Sequence, residues 1–309
     1  MTLTAFPNGI SSFFVGPNVT AGGAPAGPVF WANPYASGNG NGTSPSQAFN
    51  TAQRAINAAL LTYGASVMLM PGSYDEALTI PRPTTGSAAL VIQGVGPKGS
   101  VGIAPTATNA SGLVNDADDV TLINVGLAAV GTGVALVNTG SRLRAFGCKL
   151  ENDDGTGSCA NMTLGTVAQE AAGTKGNGAD CLLQGCEFAW AANGLIMTCT
   201  DYGAVTELQI VDGWFHDMDT KHITEAVGSG GSAAVTFASL LISGCRFSEN
   251  EAGTAPTNYI DLNGDNANSG SLYGSYFPAA INGGKVLLGT GTIAIGCIFT
   301  GGINTAQPS

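Results

Sequence analysis

Residues 240–247, "LLISGCRF", contain the most informative pattern of this sequence: an apolar run, a glycine, two further residues and a large apolar side chain. The same spacing recurs in "RLRAFGCKL", "CLLQGCEF", "GSLYGSYF" and "TIAIGCIF", with glycines at Gly147, Gly185, Gly274 and Gly296. Two looser copies, "VTLINVGL" with Gly126 and "LQIVDGWF" with Gly213, bring the large side chain closer to the glycine. The shortest interval between successive glycines is 21 residues, which indicates a repeat unit of about that length.

A unit this short cannot bury its own apolar face, so the pattern predicts short parallel strands in coils that stack on one another. A turn or bulge is expected at each glycine. Equivalent residues of successive coils should lie about 4.8 Å apart in ladders. The expected interior ladders are one of cysteines and one of large apolar residues: Cys148, Cys186, Cys245 and Cys297, and Leu150, Phe188, Phe247, Phe277 and Phe299.

A stack of coils exposes unpaired backbone groups at its ends, and such ends need a cap. The sequence predicts a capping helix that begins at Ser44-Pro45 or at Ser46 and ends at Gly64. Its expected apolar stripe is Ala48, Phe49, Ala52, Ile56, Ala59 and Leu60. Two strand runs, divided at Pro71-Gly72, follow as the first coil.

The segments "TSPSQAFNTAQRAINAA" and "VMLMPGSYDEALTI" resemble the beginning of pectate-lyase-like right-handed parallel β-helices. The matching residues are Phe49, Ala55, Ile56, Pro71, Gly72 and Tyr74. The resemblance covers about residues 28–305 and implies an all-β, single-stranded solenoid with an N-terminal capping helix. It does not imply an activity, because this superfamily holds lyases, hydrolases and purely structural proteins.

We therefore expect three segments: an extended N-terminal arm at 1–27, a leading loop with the capping helix at 28–64, and the β-helix at 65–309. The arm holds apolar residues among glycine, proline and serine, which favours ordering against a partner chain. The expected partner-binding residues are Phe6, Pro7, Phe13, Phe14 and Val15.

The composition limits the classes of function. Charged residues make up only 10% of the chain and the net charge is −11, which argues against nucleic-acid binding. The sequence predicts neither a membrane span nor a secretory signal. Seven cysteines without a CxxC pair predict free, buried thiols in a protein assembled in a reducing compartment, with no metal and no cofactor.

Three acidic clusters are candidates for an active site: Asp116, Asp118 and Asp119; Glu151, Asp153 and Asp154; and Asp212, His216, Asp217, Asp219, Lys221 and His222. Counted from the glycines, Glu151 and Asp217 share a position two coils apart, about 9–10 Å, at the wide end for an inverting glycosidase. Trp190 or Trp214 could stack on a sugar ring. We expect no catalytic residues, and Glu151, His216, Asp217 and Asp219 are the candidates if the protein is an enzyme.

The first residues also resemble the start of small tailed-bacteriophage virion proteins, whose β-helices are typically trimers. This resemblance implies a homotrimeric capsid decoration or cement protein, assembled in the host cytoplasm, that binds the major capsid protein or another virion protein at the capsid surface. The alternative is a tail spike that binds or depolymerises a host surface glycan, and a short tail-adaptor or fibre protein is a third option.

Overall fold

The computed structural model describes residues 27–84, 88–152, 159–165, 179–198, 205–226, 237–249, 256–262, 270–278, 285–288, 292–299 and 302–304. The sequence-predicted arm residues Phe6, Pro7, Phe13, Phe14 and Val15 lie outside these ranges. Within them the chain forms a right-handed parallel β-helix, in which each coil adds one strand to each of three long sheets. The fold class predicted from the repeat and the resemblance is confirmed.

The first sheet has ten parallel strands, numbered, like all the others, in chain order. They are β1 (Val29–Ala32), β2 (Ser66–Leu69), β5 (Leu90–Gly94), β8 (Val120–Ile123), β11 (Arg144–Phe146), β14 (Leu182–Gln184), β18 (Gln209–Val211), β22 (Leu240–Ser243), β25 (Gly270–Tyr273) and β28 (Thr292–Ile295). Because β1 already pairs with β2, the segment before the helix is part of the stack.

The second sheet has eight parallel strands. They are β4 (Leu78–Ile80), β7 (Leu113–Asn115), β10 (Val134–Asn138), β13 (Ala160–Leu164), β16 (Ala191–Thr198), β20 (Met218–Ala226), β24 (Asn258–Asp261) and β27 (Val286–Leu287). A two-stranded ribbon, β17 (Val205–Thr206) with β21 (Phe237–Ala238), lies outside the three long sheets.

The third sheet has nine parallel strands and one antiparallel strand at its end. They are β3 (Gly72–Tyr74), β6 (Val101–Ile103), β9 (Gly126–Ala129), β12 (Lys149–Asn152), β15 (Glu187–Ala189), β19 (Trp214–Phe215), β23 (Arg246–Phe247), β26 (Tyr276–Phe277), β29 (Cys297–Phe299) and β30 (Gly302–Asn304). The strand β30 pairs antiparallel with β29, so it covers the last open edge of this sheet.

Each repeat glycine forms the corner between the first and third sheets. Gly147, Gly185, Gly244, Gly274 and Gly296 have φ between 56° and 64°, a conformation in which a Cβ is unfavourable. The register of the two looser copies differs from the sequence prediction, because Asn124 (φ 54°) and Asp212 (φ 53°) occupy the corner instead of Gly126 and Gly213. Asparagine and aspartate tolerate this conformation. A sequence pattern that requires glycine at the corner therefore misses these two corners.

The interior ladder of large apolar residues is confirmed and gains Leu127 and Phe215, which the structure aligns with Leu150 and Phe188. Five phenylalanine rings stack along the axis, with centroids 4.3 Å apart for Phe188 and Phe215 and 4.5 Å apart for Phe247 and Phe277. All five are nearly fully buried. One ring per coil therefore forms a continuous column of the core.

The cysteine ladder is interrupted. Cys148 and Cys186 lie in adjacent coils, whereas Gly213 and Ser275 take the cysteine position in two later coils. At this position the thiols of Cys148 and Cys186 donate to the carbonyl oxygen two residues back, at 3.7 Å, and the Ser275 hydroxyl does the same at 3.2 Å. The position therefore favours small residues, and a thiol or hydroxyl group there can donate to the corner carbonyl. The six described cysteines are buried and form no disulfide bond, and Cys199 lies outside the described residues.

The capping helix is present, but it begins later than predicted and ends at Leu60, before the predicted end at Gly64. Helix α1 covers Ala52–Leu60, and residues Pro45–Gln47 form one turn of 3-10 helix instead. The hydroxyl of Thr51 accepts a hydrogen bond from the Arg54 amide at 3.3 Å, and this cap sets the start. Phe49 belongs to a β-bridge with Ala32, outside the helix. The buried helix face is Ala52, Ala55, Ile56 and Ala59.

Candidate functional site

A polar outer surface lies on the third sheet. Alternate residues of its strands face outward and form a ladder in register. In chain order the ladder is Lys149, Glu187, Trp214, Arg246, Tyr276 and Ile298. These residues occupy the variable position between cysteine and phenylalanine in the repeat. Each coil therefore places one variable side chain on the outer surface, at regular spacing.

His216 stands at the centre of this surface. Its Nδ1 contacts the Asp217 carboxylate, and its Nε2 lies 3.4 Å from the Glu187 carboxylate of the preceding coil. The Trp214 ring stacks on the imidazole with a centroid distance of 4.0 Å. Asp217 has φ 56°, so the backbone turns at the strand end beside its carboxylate. Both ring nitrogens are thereby held between carboxylates, and the ring orientation is set.

Two lysines neutralise the carboxylates around this centre. Lys98, from the turn between β5 and β6, lies 3.2 Å from Glu187, and Lys149 lies 2.6 Å from Glu151. Burial raises the pKa of Glu187, but the hydrogen bond and charge of Lys98, aided by His216 and Lys149, outweigh burial and leave this pKa below its ordinary value. Glu187 is therefore ionised at neutral pH.

Two tryptophans border the centre. Trp214 is 39% exposed, donates from Nε1 to the Ser248 hydroxyl at 3.2 Å and lies 5.6 Å from the Arg246 guanidinium. Trp190 is 38% exposed and has φ 56°. It precedes Ala191, which pairs with Met218, so it takes the same corner position as Asp217 one coil earlier. The surface thus combines two exposed aromatic rings with fixed charges.

The predicted pairing of Glu151 with Asp217 is wrong by one residue. Glu151 pairs with Ala189, and the pairing of Phe188 with Phe215 aligns Ala189 with His216. The cause is the corner at Asp212, because counting from Gly213 shifts every later residue by one place. Glu151 is bound to Lys149, and Asp217 is bound to His216.

The rest of the third acidic cluster is dispersed. Asp219 is exposed at the start of β20 in the second sheet. Lys221 pairs with Asp261 at 2.6 Å, and His222 is fully buried among core rings. Glu187, in contrast, was not recognised in the sequence because it stands alone. Its place in the variable position of the repeat was the signal that could have identified it.

The first acidic cluster stabilises a turn between β7 and β8. The Arg142 guanidinium binds Asp119 through two nitrogens, at 2.5 Å and 2.9 Å, and this pair raises the pKa of Arg142 above its ordinary value. Asp116 accepts a hydrogen bond from the Thr139 hydroxyl at 2.6 Å. These carboxylates are used to join successive coils. Of the second cluster, Asp153 and Asp154 lie outside the described residues.

In the described parts of the chain, no group of three or more histidine, cysteine, aspartate or glutamate side chains is arranged to hold a metal ion. Across the same ranges, no helix has the length and apolar character needed to cross a bilayer.

No family model and no curated protein sequence matches this chain. Among solved structures, deglycosylated pectin methylesterase from Aspergillus niger is similar over 89% of this chain and 84% of its own, with a TM-score of 0.53 and 14% identity. Pectate lyase Pel9A is similar over 91% of this chain and 78% of its own, with a TM-score of 0.56 and 11% identity. Escherichia coli ybhc is similar over 95% of this chain and 82% of its own, with a TM-score of 0.52 and 12% identity. At such identities the likeness concerns the fold, and this chain therefore has the right-handed parallel β-helix fold of these proteins.

Proposed function

We propose that this protein binds an extended polysaccharide along the outer face of the third sheet. The observation that carries the proposal is the pair of exposed rings, Trp190 and Trp214, beside the charged centre formed by Glu187, His216 and Asp217. An aromatic ring offers a flat apolar surface with low conformational entropy, and the neighbouring charged groups can hydrogen-bond to sugar hydroxyls. The regular spacing of the coils suits a repeating polymer.

Binding fits this geometry better than glycoside hydrolysis. Glycoside hydrolysis needs one carboxyl group that stays protonated to act as a general acid. Here the pKa of Glu187 is lowered, and Asp217 is engaged by His216. Glu151 is paired with Lys149. Glu187 is thus held as a fixed charge, and Asp217 and Glu151 are held in place by their partners, so the groups can recognise a ligand.

The solved structures with this fold lend support, since they include pectin methylesterases and a pectate lyase. By analogy, their names suggest a polysaccharide as the ligand of the present chain.

The test is affinity electrophoresis in gels that contain acidic or neutral polysaccharides. Trp214→Ala should weaken binding at least tenfold, because truncating an anchoring aromatic residue costs roughly 1.4 kcal/mol or more. Tyr63→Ala, which removes a 74% exposed ring after the capping helix, is the control and should bind like wild type. Equal retardation of wild type and Trp214→Ala in every gel would contradict the proposal. Release of reducing ends would show cleavage instead.

We also propose a second role, that of a homotrimeric structural protein of a tailed bacteriophage that binds the major capsid protein at the capsid surface. The N-terminal resemblance motivates it, and the nearly uncharged outer face of the first sheet, described below, favours it. Deleting residues 1–27 should abolish binding to particles that lack this protein and leave glycan binding unchanged. Retained particle binding would contradict the role assigned to Phe6, Pro7, Phe13, Phe14 and Val15.

A further inference from the structure

The outer face of the first sheet is unusual in its lack of charge. One outward ladder runs in register through all ten strands. It consists of Trp31, Met68, Gln93, Ile123, Phe146, Gln184, Val211, Ser243, Tyr273 and Ile295. The parallel outward ladder, beginning at β5, consists of Val91, Thr121, Arg144, Leu182, Gln209, Leu241, Ser271 and Ile293. Within these two described ladders Arg144 is the one charged residue, and none is acidic.

Apolar side chains continue along the length of this face. At its C-terminal end Tyr273 is 55% exposed and Ile295 is 44% exposed. At its N-terminal end an open hollow of about 440 Å³ is lined by residues that include Trp31, Met68 and Ile123. An apolar surface that extends over many strands marks an interaction site, whereas single exposed apolar residues do not.

We propose that this face is where copies of the same chain associate side by side. The charge distribution selects the occupant. The chain carries a net charge of −11, so most approaches between two copies are opposed by repulsion. Two identical faces without acidic residues can meet with little repulsion and remove apolar side chains from water.

The dimensions agree with a stable contact. Ten strands at about 4.8 Å give a length of about 45 Å, and strands about 13 Å long give a flat footprint of roughly 600 Å². Protruding side chains enlarge this area toward the ~800 Å² that each partner buries in a typical stable interface. An arrangement around an axis parallel to the solenoid places equivalent ladder residues of different copies at the same height. This inference goes beyond glycan binding, and it names the surface for the homotrimer of the second proposal.

The test compares two identical substitutions at half-buried outward valines in the middle of the stack. Val211→Glu places a carboxylate on the first sheet, and Val137→Glu places one on the second sheet. The molar mass of the full chain is measured by light scattering, with circular dichroism to verify the fold. We expect an oligomeric wild type, a monomeric Val211→Glu and an unchanged Val137→Glu.

A second pair of variants covers the case in which Val211→Glu fails to fold. Ser243→Cys lies on the proposed face, and Thr163→Cys faces outward on the second sheet. A short bis-maleimide should join copies of Ser243→Cys much more than copies of Thr163→Cys or of wild type. A monomeric wild type, loss of association in Val137→Glu alone, or preferential cross-linking of Thr163→Cys would overturn the proposal. Because these experiments use the purified protein, their result is independent of glycan and particle binding.

Discussion

At the scale of single residues, His222 is a costly group in the described core. Its side chain is fully buried, and neither ring nitrogen has a hydrogen-bond partner in the described structure. The ring lies parallel to Phe247 at 5.6 Å and meets Tyr259 edge-on at 5.0 Å. His222 therefore packs as an aromatic ring of the core, although burying a polar group without hydrogen-bond partners costs free energy of folding.

His222→Phe should reduce the sensitivity of this protein to acid. Burial, together with the nearby His216, lowers the pKa of His222 to about 3. Below the ordinary histidine pKa of about 6.5, His222 is protonated in the unfolded chain but stays neutral in the folded chain. The free energy of unfolding therefore falls as the pH falls toward 3. The loss from this group approaches ~3 kcal/mol at pH 4.

Urea unfolding at pH 7 and pH 4 measures this loss in wild type and variant. The variant should lose about 3 kcal/mol less between the two pH values. Any packing cost of the larger ring changes the variant's free energy of unfolding equally at pH 7 and at pH 4. It therefore cancels in the difference between the two pH values. Equal pH dependence in the two proteins would contradict the burial of a neutral His222.

At the scale of elements, the carboxylate of Glu76 joins the capping helix to the first coil, and the Gln53 side chain adds two hydrogen bonds to the Thr79 backbone. Glu76, which follows β3, accepts hydrogen bonds from the Ala52 amide at 2.6 Å and from the Gln53 amide at 3.1 Å. These amides belong to the first turn of α1, where backbone donors lack partners within the helix and negative charge is favoured. The connection explains why the short helix stays in place over the open end of the stack.

Glu76→Ala should therefore destabilise the protein by about 1–2 kcal/mol. Glu76→Gln keeps one acceptor oxygen and should cost roughly half as much. Asp75→Ala, at the exposed neighbouring position, is the control and should change stability little. Urea unfolding at neutral pH measures all three. A loss for Asp75→Ala as large as that for Glu76→Ala would show that the carboxylate of Glu76 has no special role.

At the scale of the whole molecule, the solenoid gives different properties to different sides. The outer face of the first sheet is nearly without charge, whereas that of the third sheet carries Lys149, Glu187 and Arg246 together with Trp214. Inside, one column of rings runs through successive coils. Each coil contacts its neighbours, so stability should behave as a sum along one dimension.

Phe277→Ala should open the structure locally before it unfolds globally. Phe277 is fully buried and stacks on Phe247 at 4.5 Å and on Phe299 at 5.0 Å. Removing the ring leaves a cavity that costs about 3–5 kcal/mol. Hydrogen exchange should accelerate in β23, β26 and β29 and stay near wild type in β2, β5 and β6.

Tyr276→Ala is the matched control, because the neighbouring side chain faces outward and is 42% exposed. It should leave exchange in these strands almost unchanged. Uniform acceleration through every strand of Phe277→Ala would indicate one cooperative unit instead of a stack of separable coils.

The repeat pattern alone predicted the stacked coils, the column of large side chains and the presence of a capping helix. These features depend on rules that each unit carries locally: alternation along a strand, a left-handed corner at glycine and one large inward residue per coil. The start of the helix was missed because Thr51, and not Ser44 or Ser46, supplies the cap.

Only the tertiary structure decided the alignment between coils. A shift of one residue changes which side chains share a ladder, and Asp212 at the corner produced such a shift relative to the count from Gly213. Packing of Phe188 against Phe215 sets the true register, and it brings Glu187 to His216 from 29 residues away. The polar centre on the third sheet and the uncharged face of the first sheet follow from this register, because each gathers single residues from separate coils.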